Sequence, residues 1–314
     1  MRIVLLPILA LLSLSALAEI VYTLEPISLE VKDAALKGTL TVPPRPFAVP
    51  VALIIAGSGP TDQNGNSLGT VIQPNSYKLL SEALAARGIA SLRYDKRGIG
   101  SSQTTLSEGQ LRFTDFANDA AALLETLKKD ARFSDVYIIG HSEGSLLGML
   151  AAQKIAVTGY ISLAGPGRPA DQILLEQLTP QVTPVMLIEV KRVLDSLKAG
   201  RPIPSKDIKL PAALVGVLLR DSVQPYLISW FNYDPSFEIK KLECRVAVLQ
   251  GTTDIQVATS EAKLLTPNPV LLKNMNHVLK IATLEPASQQ AAYTDPKLPV
   301  APSLVDAIAA FMQP

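Results

Sequence analysis

Apolar positions along the chain follow two rhythms, and their alternation predicts the architecture. From Ile20 to Val42 apolar and polar residues alternate around Asp33 and Gly38, the period of half-exposed antiparallel strands at a sheet edge. Beyond the Pro-rich link Pro43–Pro50, Val51–Ala56 reads VALIIA, a continuous apolar run suited to a central strand. An amphipathic helix is predicted over Tyr77–Arg87, stopped by Gly88, and Ile89–Arg93 is the next strand. Phe116, Ala120, Leu123, Leu124 and Leu127 recur at helical spacing and predict a helix over Thr114–Lys129. The apolar run Val136–Ile139 reads as a buried strand. It turns sharply at Gly140-His141-Ser142-Glu143-Gly144 and continues as a helical pattern through Leu146, Leu147, Met149 and Leu150. Tyr160–Ala164 is a further strand. Apolar strands alternating with amphipathic helices predict an α/β fold, a mostly parallel central sheet with helices on both faces.

The rhythm breaks at about Arg168. As far as Phe237 there is no strand pattern, only helical runs such as Val185–Leu197 and Ala212–Leu219 with prolines between them. Strands resume at Arg245–Gln250 and Val270–Lys273, and a helix over Ser303–Met312 closes the chain. The expected organisation is one α/β domain over residues 19–314 with a helical cap inserted at about 168–237. No internal repeat or low-complexity tract interrupts it.

The first residues fit neither rhythm. Arg2 precedes an uncharged apolar run, Ile3–Ser15, broken by Pro7, and Ala16-Leu17-Ala18 has the small-x-small form of a cleavage site. This predicts a signal peptide over residues 1–18 and export to a periplasm or the medium. A single membrane anchor is the competing reading. The uncharged run ends at Ala18, at the short limit for a span, and no basic stop follows, so no stable span is expected after cleavage.

Composition narrows the function classes. The 29 Lys and Arg balance 28 Asp and Glu for a net charge of +1, which leaves no field to gather nucleic acid. Hydrophobic residues make up 48% of the chain, ample for a sizeable core. Cys244 is the only cysteine, so an internal disulfide is impossible, and no cysteine follows the cleavage site to take a lipid. Cys244 opens an apolar strand and is expected to be an inert buried thiol.

Strand, Gly-x-Ser-x-Gly and helix together make a nucleophile elbow, which sets Ser142 in a strained turn with its hydroxyl clear of the sheet. The helix beginning just after it aims unpaired N–H groups and the positive end of its dipole at the same point. A serine hydroxyl is a poor nucleophile at neutral pH without a base, and the base needs a third group to hold it. The chain has two histidines. His141 adjoins Ser142 on a strand end and points to the other side, so it is expected to pack or hydrogen-bond within the turn. That leaves His277, in a loop after the last predicted strand, as general base. Asp254, one turn beyond Arg245–Gln250, suits the acid in chain order. Asp171 is its rival but begins the cap. Donors for a tetrahedral oxyanion are expected from the backbone N–H of Glu143 and of Ser58, in the Gly57-Ser58-Gly59 loop after VALIIA. No Gly-Lys-Ser/Thr follows that loop, which argues against a nucleotide cradle.

With these residues in hand, the chain resembles the α/β-hydrolase superfamily, in the branch of exported bacterial esterases and serine-aminopeptidase-like or monoacylglycerol-lipase-like enzymes. The likeness rests on AGSGPTDQNGN (Ala56–Asn66), YDKRGIGSS (Tyr94–Ser102), GHSEGS (Gly140–Ser145), GTTDIQV (Gly251–Val257) and NMNHVLK (Asn274–Lys280). It covers nearly all of the mature chain and is weakest in the cap. The Gly-Ser-Gly-Pro-Thr-Asp loop is similar to that of exported esterases with an inserted cap and departs from the His-Gly-Gly loop of many lipases. The resemblance implies a structural role for the Asp95-Arg97-Gly98 turn, and a rim to the site at Thr61–Ser67.

The expected function is hydrolysis of a small-molecule acyl ester through an acyl-enzyme, by a carboxylesterase or a lysophospholipase-like enzyme. No cofactor and no metal is expected, since two histidines make a metal cluster improbable. A peptidase or amidase on the same groups is the alternative. It would need a cap carboxylate, Glu176 or Glu189, to hold the substrate amine. An alternative of another class is a non-catalytic periplasmic binding protein on the same fold, which predicts loss of at least one catalytic group. Oligomeric state is not read from the sequence.

Overall fold

The computed structural model describes residues 22–313, so the signal-peptide expectation for residues 1–18 lies outside them. Nine strands form one sheet among the described residues: β1 (Thr23–Val31), β2 (Ala34–Val42), β3 (Val49–Ile55), β4 (Ala90–Tyr94), β5 (Gln103–Thr104), β6 (Phe133–His141), β7 (Gly159–Leu163), β8 (Arg245–Gly251) and β9 (Val270–Leu272). Their order is β1-β2-β4-β3-β6-β7-β8-β9, with β5 beside β2. β1 and β2 form the expected antiparallel hairpin at the edge, and β2 joins β4 antiparallel. From β4 to β9 every pairing is parallel. The C-terminal ends of β3, β6, β8 and β9 therefore share one edge of the sheet.

Alternation along the strands feeds two cores. Leu92, Leu53, Ile138 and Tyr160 stand in register across four strands on one face, under α2 (Phe113–Lys129) and α3 (Glu143–Ala152). Ile54, Ile139 and Ile161 line the other face, under α1 (Ser76–Ala86) and the C-terminal α11 (Pro302–Met312). Leu80 and Leu84 of α1 are fully buried there, and each such side chain contributes about 2 kcal/mol by leaving water.

Five helices lie between β7 and β8: α4 (Ala170–Leu178), α5 (Pro184–Lys198), α6 (Ala212–Leu214), α7 (Gln224–Trp230) and α8 (Pro235–Glu238). The run read as one helix over Ala212–Leu219 is split, because α6 widens into a π-turn over Val215–Leu219. This insertion has a core of its own, including Val190, Val193, Leu194, Leu197, Leu219, Leu227 and Phe231. It also docks on α2. Trp230 stacks on Phe113 with centroids 5.5 Å apart, Tyr226 meets Phe116 edge-on at 5.4 Å, and Phe113 donates its N–H to Ser229 Oγ at 2.8 Å.

Helices α9 (Thr259–Leu265) and α10 (Pro286–Thr294) complete the chain. The pattern of the sequence did not predict α10. Its PASQQAAYT buries only Gln289 and Ala292, too few apolar positions to show a helical period. Cys244 sits one residue before β8, half-buried against the larger core, and burial raises its thiol above the ordinary value. No helix among the described residues is long and apolar enough to cross a membrane.

Candidate active site

The elbow forms where β6 stops at His141 and α3 starts at Glu143. Ser142 takes φ 55° and ψ −122°, a backbone state that costs a non-glycine residue about 1–3 kcal/mol. Two hydrogen bonds hold it there: its N–H donates to Leu163 O and its carbonyl accepts from Ser145 N, both at 3.0 Å. The helix can leave the strand so abruptly because residue 144 has no side chain. A Cβ on Gly144 would stand 2.3 Å from Ile55 O.

Asp254 and His277 meet from separate loops, one after β8 and one after β9. His277 Nδ1 donates to Asp254 Oδ2 at 2.8 Å. A carboxylate only accepts, so Nδ1 carries the hydrogen and Nε2 keeps its lone pair. The carboxylate is fully engaged and its side chain has no exposed surface. Oδ1 accepts from the Gln256 and Val257 amides at 2.8 and 2.9 Å, and Oδ2 also accepts from Gln250 Nε2 at 3.0 Å. Burial alone would raise the Asp254 carboxyl. The neighbouring imidazole's charge and these hydrogen bonds outweigh it and hold the group below its ordinary range. Asp171, the rival acid, is paired with Lys198 at 3.2 Å in the insertion.

His141 links this pair to the elbow. Its Nε2 donates to His277 O at 2.9 Å, and the two imidazole rings lie 4.8 Å apart. With Nε2 donating, Nδ1 must accept, and it does so from the Tyr77 hydroxyl at 2.7 Å. That hydroxyl accepts in turn from the Gly57 N–H at 3.1 Å. Gly57 itself lies against the elbow, since a Cβ there would be 3.1 Å from Ser142 Cβ. The chain of bonds thus runs from the loop after β3 to the loop after β9. It brings His277 beside the elbow, while no hydrogen bond joins the Ser142 hydroxyl to His277 Nε2 among the described residues.

Burial, with a lesser push from His277, holds His141 down to about 3 from an ordinary 6.5. The unfolded chain therefore binds a proton on this residue that the folded chain refuses. Stability from this group is complete above about pH 6.5 and drains away as pH falls towards 3, at about 1.4 kcal/mol per pH unit. Denaturant melts of His141→Gln at pH 4.5, 5.5 and 7.5 are expected to show a shallower pH slope than wild type, alongside lower stability at pH 7.5. An unchanged slope would mean that His141 is not a buried neutral imidazole.

The loop after β3 brings Ser58 to the same edge, and α3 presents the Glu143 N–H in its first turn. Neither amide donates to a protein acceptor among the described residues. The Thr61–Ser67 stretch is fastened to itself: Asp62 Oδ1 accepts from the Asn64 and Asn66 amides, each at 2.8 Å, and Asn66 bonds Asn75 at 2.8 Å. Asp95 accepts from Gln63 N at 2.7 Å and from Ser101, while Arg97 forks onto buried Asp119. Both therefore hold the framework together. Between them stands Lys96, which sequence reasoning missed. Its ammonium is buried and reaches Gly57 O at 2.6 Å and Glu143 Oε1 at 3.1 Å. From α7 of the insertion, Tyr226 faces the same carboxylate; burial first, then Glu143, pushes its phenol well above the ordinary value.

A mostly parallel sheet flanked by helices on both faces, with an elbow serine and an Asp–His pair at the C-terminal ends of its parallel strands, defines an α/β-hydrolase. Residues 69–272 match the family model Hydrolase_4, described as serine aminopeptidase, S33, and the chain belongs to that family. It is 26% identical over 246 residues to the esterase EstD of Thermotoga maritima, a match covering 76% of this chain. The match takes in 56% of EstD, so the chain spans little more than half the length of that curated relative. Solved structures share the fold. Est1E from Butyrivibrio proteoclasticus, with ferulic acid bound, superimposes with a TM-score of 0.58 at 18% identity, covering 91% of this chain and 97% of that one. The α/β-hydrolase GrgF from Penicillium sp. sh18 gives 0.58 at 15% identity, with 93% and 98% covered.

Proposed function

We propose that the protein is a serine hydrolase that cleaves carboxylic esters through an acyl-enzyme, with Ser142 as nucleophile, His277 as general base and Asp254 orienting it. The observation that carries this reading is the buried Asp254–His277 hydrogen bond, tied through His141 to the strained turn of Ser142. Ser142 Oγ attacks the ester carbonyl as His277 Nε2 takes its proton. The carbonyl oxygen, now negative, accepts from the Ser58 and Glu143 amides. Collapse expels the alcohol, which leaves with the proton from Nε2. Water then attacks the acyl-enzyme with His277 again as base, and the acid departs. Attack requires the Ser142 hydroxyl to hydrogen-bond His277 Nε2, a contact of the kind that commonly tightens in the Michaelis complex.

The likeness to the esterase EstD supports an ester substrate, whereas the family is described as one of aminopeptidases. The two carboxylates considered for holding a substrate amine are both engaged. Glu176 pairs with Arg168, and Glu189 is held at about 2 by Arg192, 2.7 Å away. That favours the ester. Of the apolar residues in the insertion, Val215, Leu219, Leu227 and Phe231 pack inward, while Val185, Ile188 and Val217 are exposed.

The test is hydrolysis of p-nitrophenyl esters of graded chain length beside aminoacyl amides, with fluorophosphonate labelling of the protein. Ester turnover and labelling at Ser142 are expected. Faster turnover of the amides would replace the esterase with a peptidase, and absence of both turnover and labelling would leave a binding protein. Export belongs to the same proposal, and an N-terminus near Glu19 on the mature chain is its check.

A further inference from the structure

We infer that Lys96, braced by Glu143, is a positioning residue for the oxyanion hole: its ammonium fixes the Gly57–Ser58 peptide so that the Ser58 N–H points at the reacting carbonyl. This rests on the hydrolase reading above and adds a residue to it.

The argument begins with the peptide bond. In a trans peptide the carbonyl of one residue and the N–H of the next point in opposite directions from a rigid plane. Whatever holds Gly57 C=O therefore aims Ser58 N–H. Lys96 Nζ holds that carbonyl at 2.6 Å, and the Tyr77 hydroxyl takes the Gly57 N–H at 3.1 Å. Both backbone groups of Gly57 are thus pinned by side chains that are buried themselves. The peptide is left without freedom to rotate at the start of an otherwise exposed turn, Ser58–Pro60.

The second contact of Lys96 reaches the other donor. Glu143, whose carboxylate lies 3.1 Å from Nζ, supplies the second amide of the hole at the head of α3. One ammonium therefore spans both halves and sets their separation. Lys96 and Glu143 are each 3% exposed. A buried ion pair is a poor source of stability, since desolvation offsets its attraction. Its contribution here is geometric. A cation on the carbonyl oxygen also polarises the amide, which makes its N–H a stronger donor to developing negative charge.

The experiment compares wild type with Lys96→Met and with Lys96→Met/Glu143→Gln, which removes the carboxylate that the single change leaves buried and unpaired. Steady-state hydrolysis of a p-nitrophenyl ester is measured with affinity for an alkyl trifluoromethyl ketone, whose adduct on Ser142 carries an oxyanion. An alkyl amide of the same chain length serves as ground-state ligand. Thermal melts establish that the variants are folded. In both variants kcat is expected to fall by about 10- to 100-fold, with KM within about threefold of wild type. Affinity for the ketone is expected to fall by the same factor as kcat, while affinity for the amide is retained.

A folded double variant with kcat within threefold of wild type overturns the inference. So does equal loss of affinity for ketone and amide, which a general loosening of the site would produce. Wild-type protein that neither turns over ester nor takes the fluorophosphonate overturns the hydrolase reading as well. An active wild type with unmoved Lys96 variants overturns this inference alone.

Discussion

Replacing Ser142 with alanine is expected to lower kcat for a p-nitrophenyl ester by about 10⁵- to 10⁶-fold and to abolish fluorophosphonate labelling. The size of the loss follows from the division of labour in the site. Without the hydroxyl there is no acyl-enzyme, and the Asp254–His277 pair has nothing to deprotonate except water. What survives is substrate binding and the two amide donors, which together retain about 10³- to 10⁴-fold over the uncatalysed reaction. Because the groups act as a unit, Ser142→Ala/His277→Ala is expected to be no slower than Ser142→Ala alone. Stability should barely move. Among the described residues the Ser142 hydroxyl bonds neither His277 nor its own helix, and alanine meets the same positive-φ strain as serine. Steady-state rates of the two variants, with melts as control, decide the matter. A Ser142→Ala protein within 10³-fold of wild type would remove serine from the chemistry.

What the sequence disclosed and what it hid divide along a physical line. Strands β3, β4, β6 and β7 were visible because burial on both faces demands unbroken apolar runs such as Val51–Ala56 and Val136–Ile139, whereas the two polar residues of β5 show no such run. The elbow was visible because its geometry demands glycine at fixed offsets from Ser142. His277 could be nominated because the other histidine adjoins Ser142, and Asp254 because it follows a strand and precedes His277 in chain order; the strands before both are parallel to β6 and end on the same edge. Lys96 could not be nominated. A lysine in the polar turn Asp95–Ser102 reads as a solvated surface charge, and only the folded chain shows it buried between Gly57 and Glu143. Tyr77 hid for a similar reason. It fits the apolar stripe of α1, and nothing in the stripe shows that its hydroxyl joins Gly57 to His141. The split of the helix over Ala212–Leu219 left no trace either, because VGVLL is as apolar as an unbroken helix would be.

The links that escaped the sequence share one property: they connect elements far apart in the chain through polar groups inside the molecule. His141 to His277 spans 136 residues, and Gly57 to Lys96 spans 39. Such links leave no periodicity, because each needs one side chain of the right length at one place. They also bind the site into a single body. Hydrogen bonds through His141 and Tyr77 join the loop after β9 to the loop after β3, so His277 and Gly57 share one frame.

Asp254→Asn is expected to lower kcat by about 10⁴-fold while KM stays within a few-fold and the fold survives. The substitution preserves shape and changes one thing, the kind of hydrogen bond available to His277 Nδ1. As a carboxylate, Oδ2 accepts from Nδ1–H and leaves Nε2 free to take the serine proton. Oδ1 is already committed to accepting from the Gln256 and Val257 amides, so in the asparagine variant the carbonyl oxygen takes that place. The NH₂ group is thereby turned to Nδ1 and to Gln250 Nε2, and it donates where an acceptor is needed. His277 responds by moving its hydrogen to Nε2, the tautomer that cannot act as base. The variant also loses the negative charge that stabilises the imidazolium formed during attack. The NH₂ group now facing Gln250 Nε2 puts two donors together, so a stability cost of about 1–3 kcal/mol is expected as well. Measured on folded protein, a loss of less than tenfold would show that Asp254 does not set the tautomer of His277, and the acid would have to be sought elsewhere. A loss that appears in KM and leaves kcat alone would point to a collapsed loop after β8.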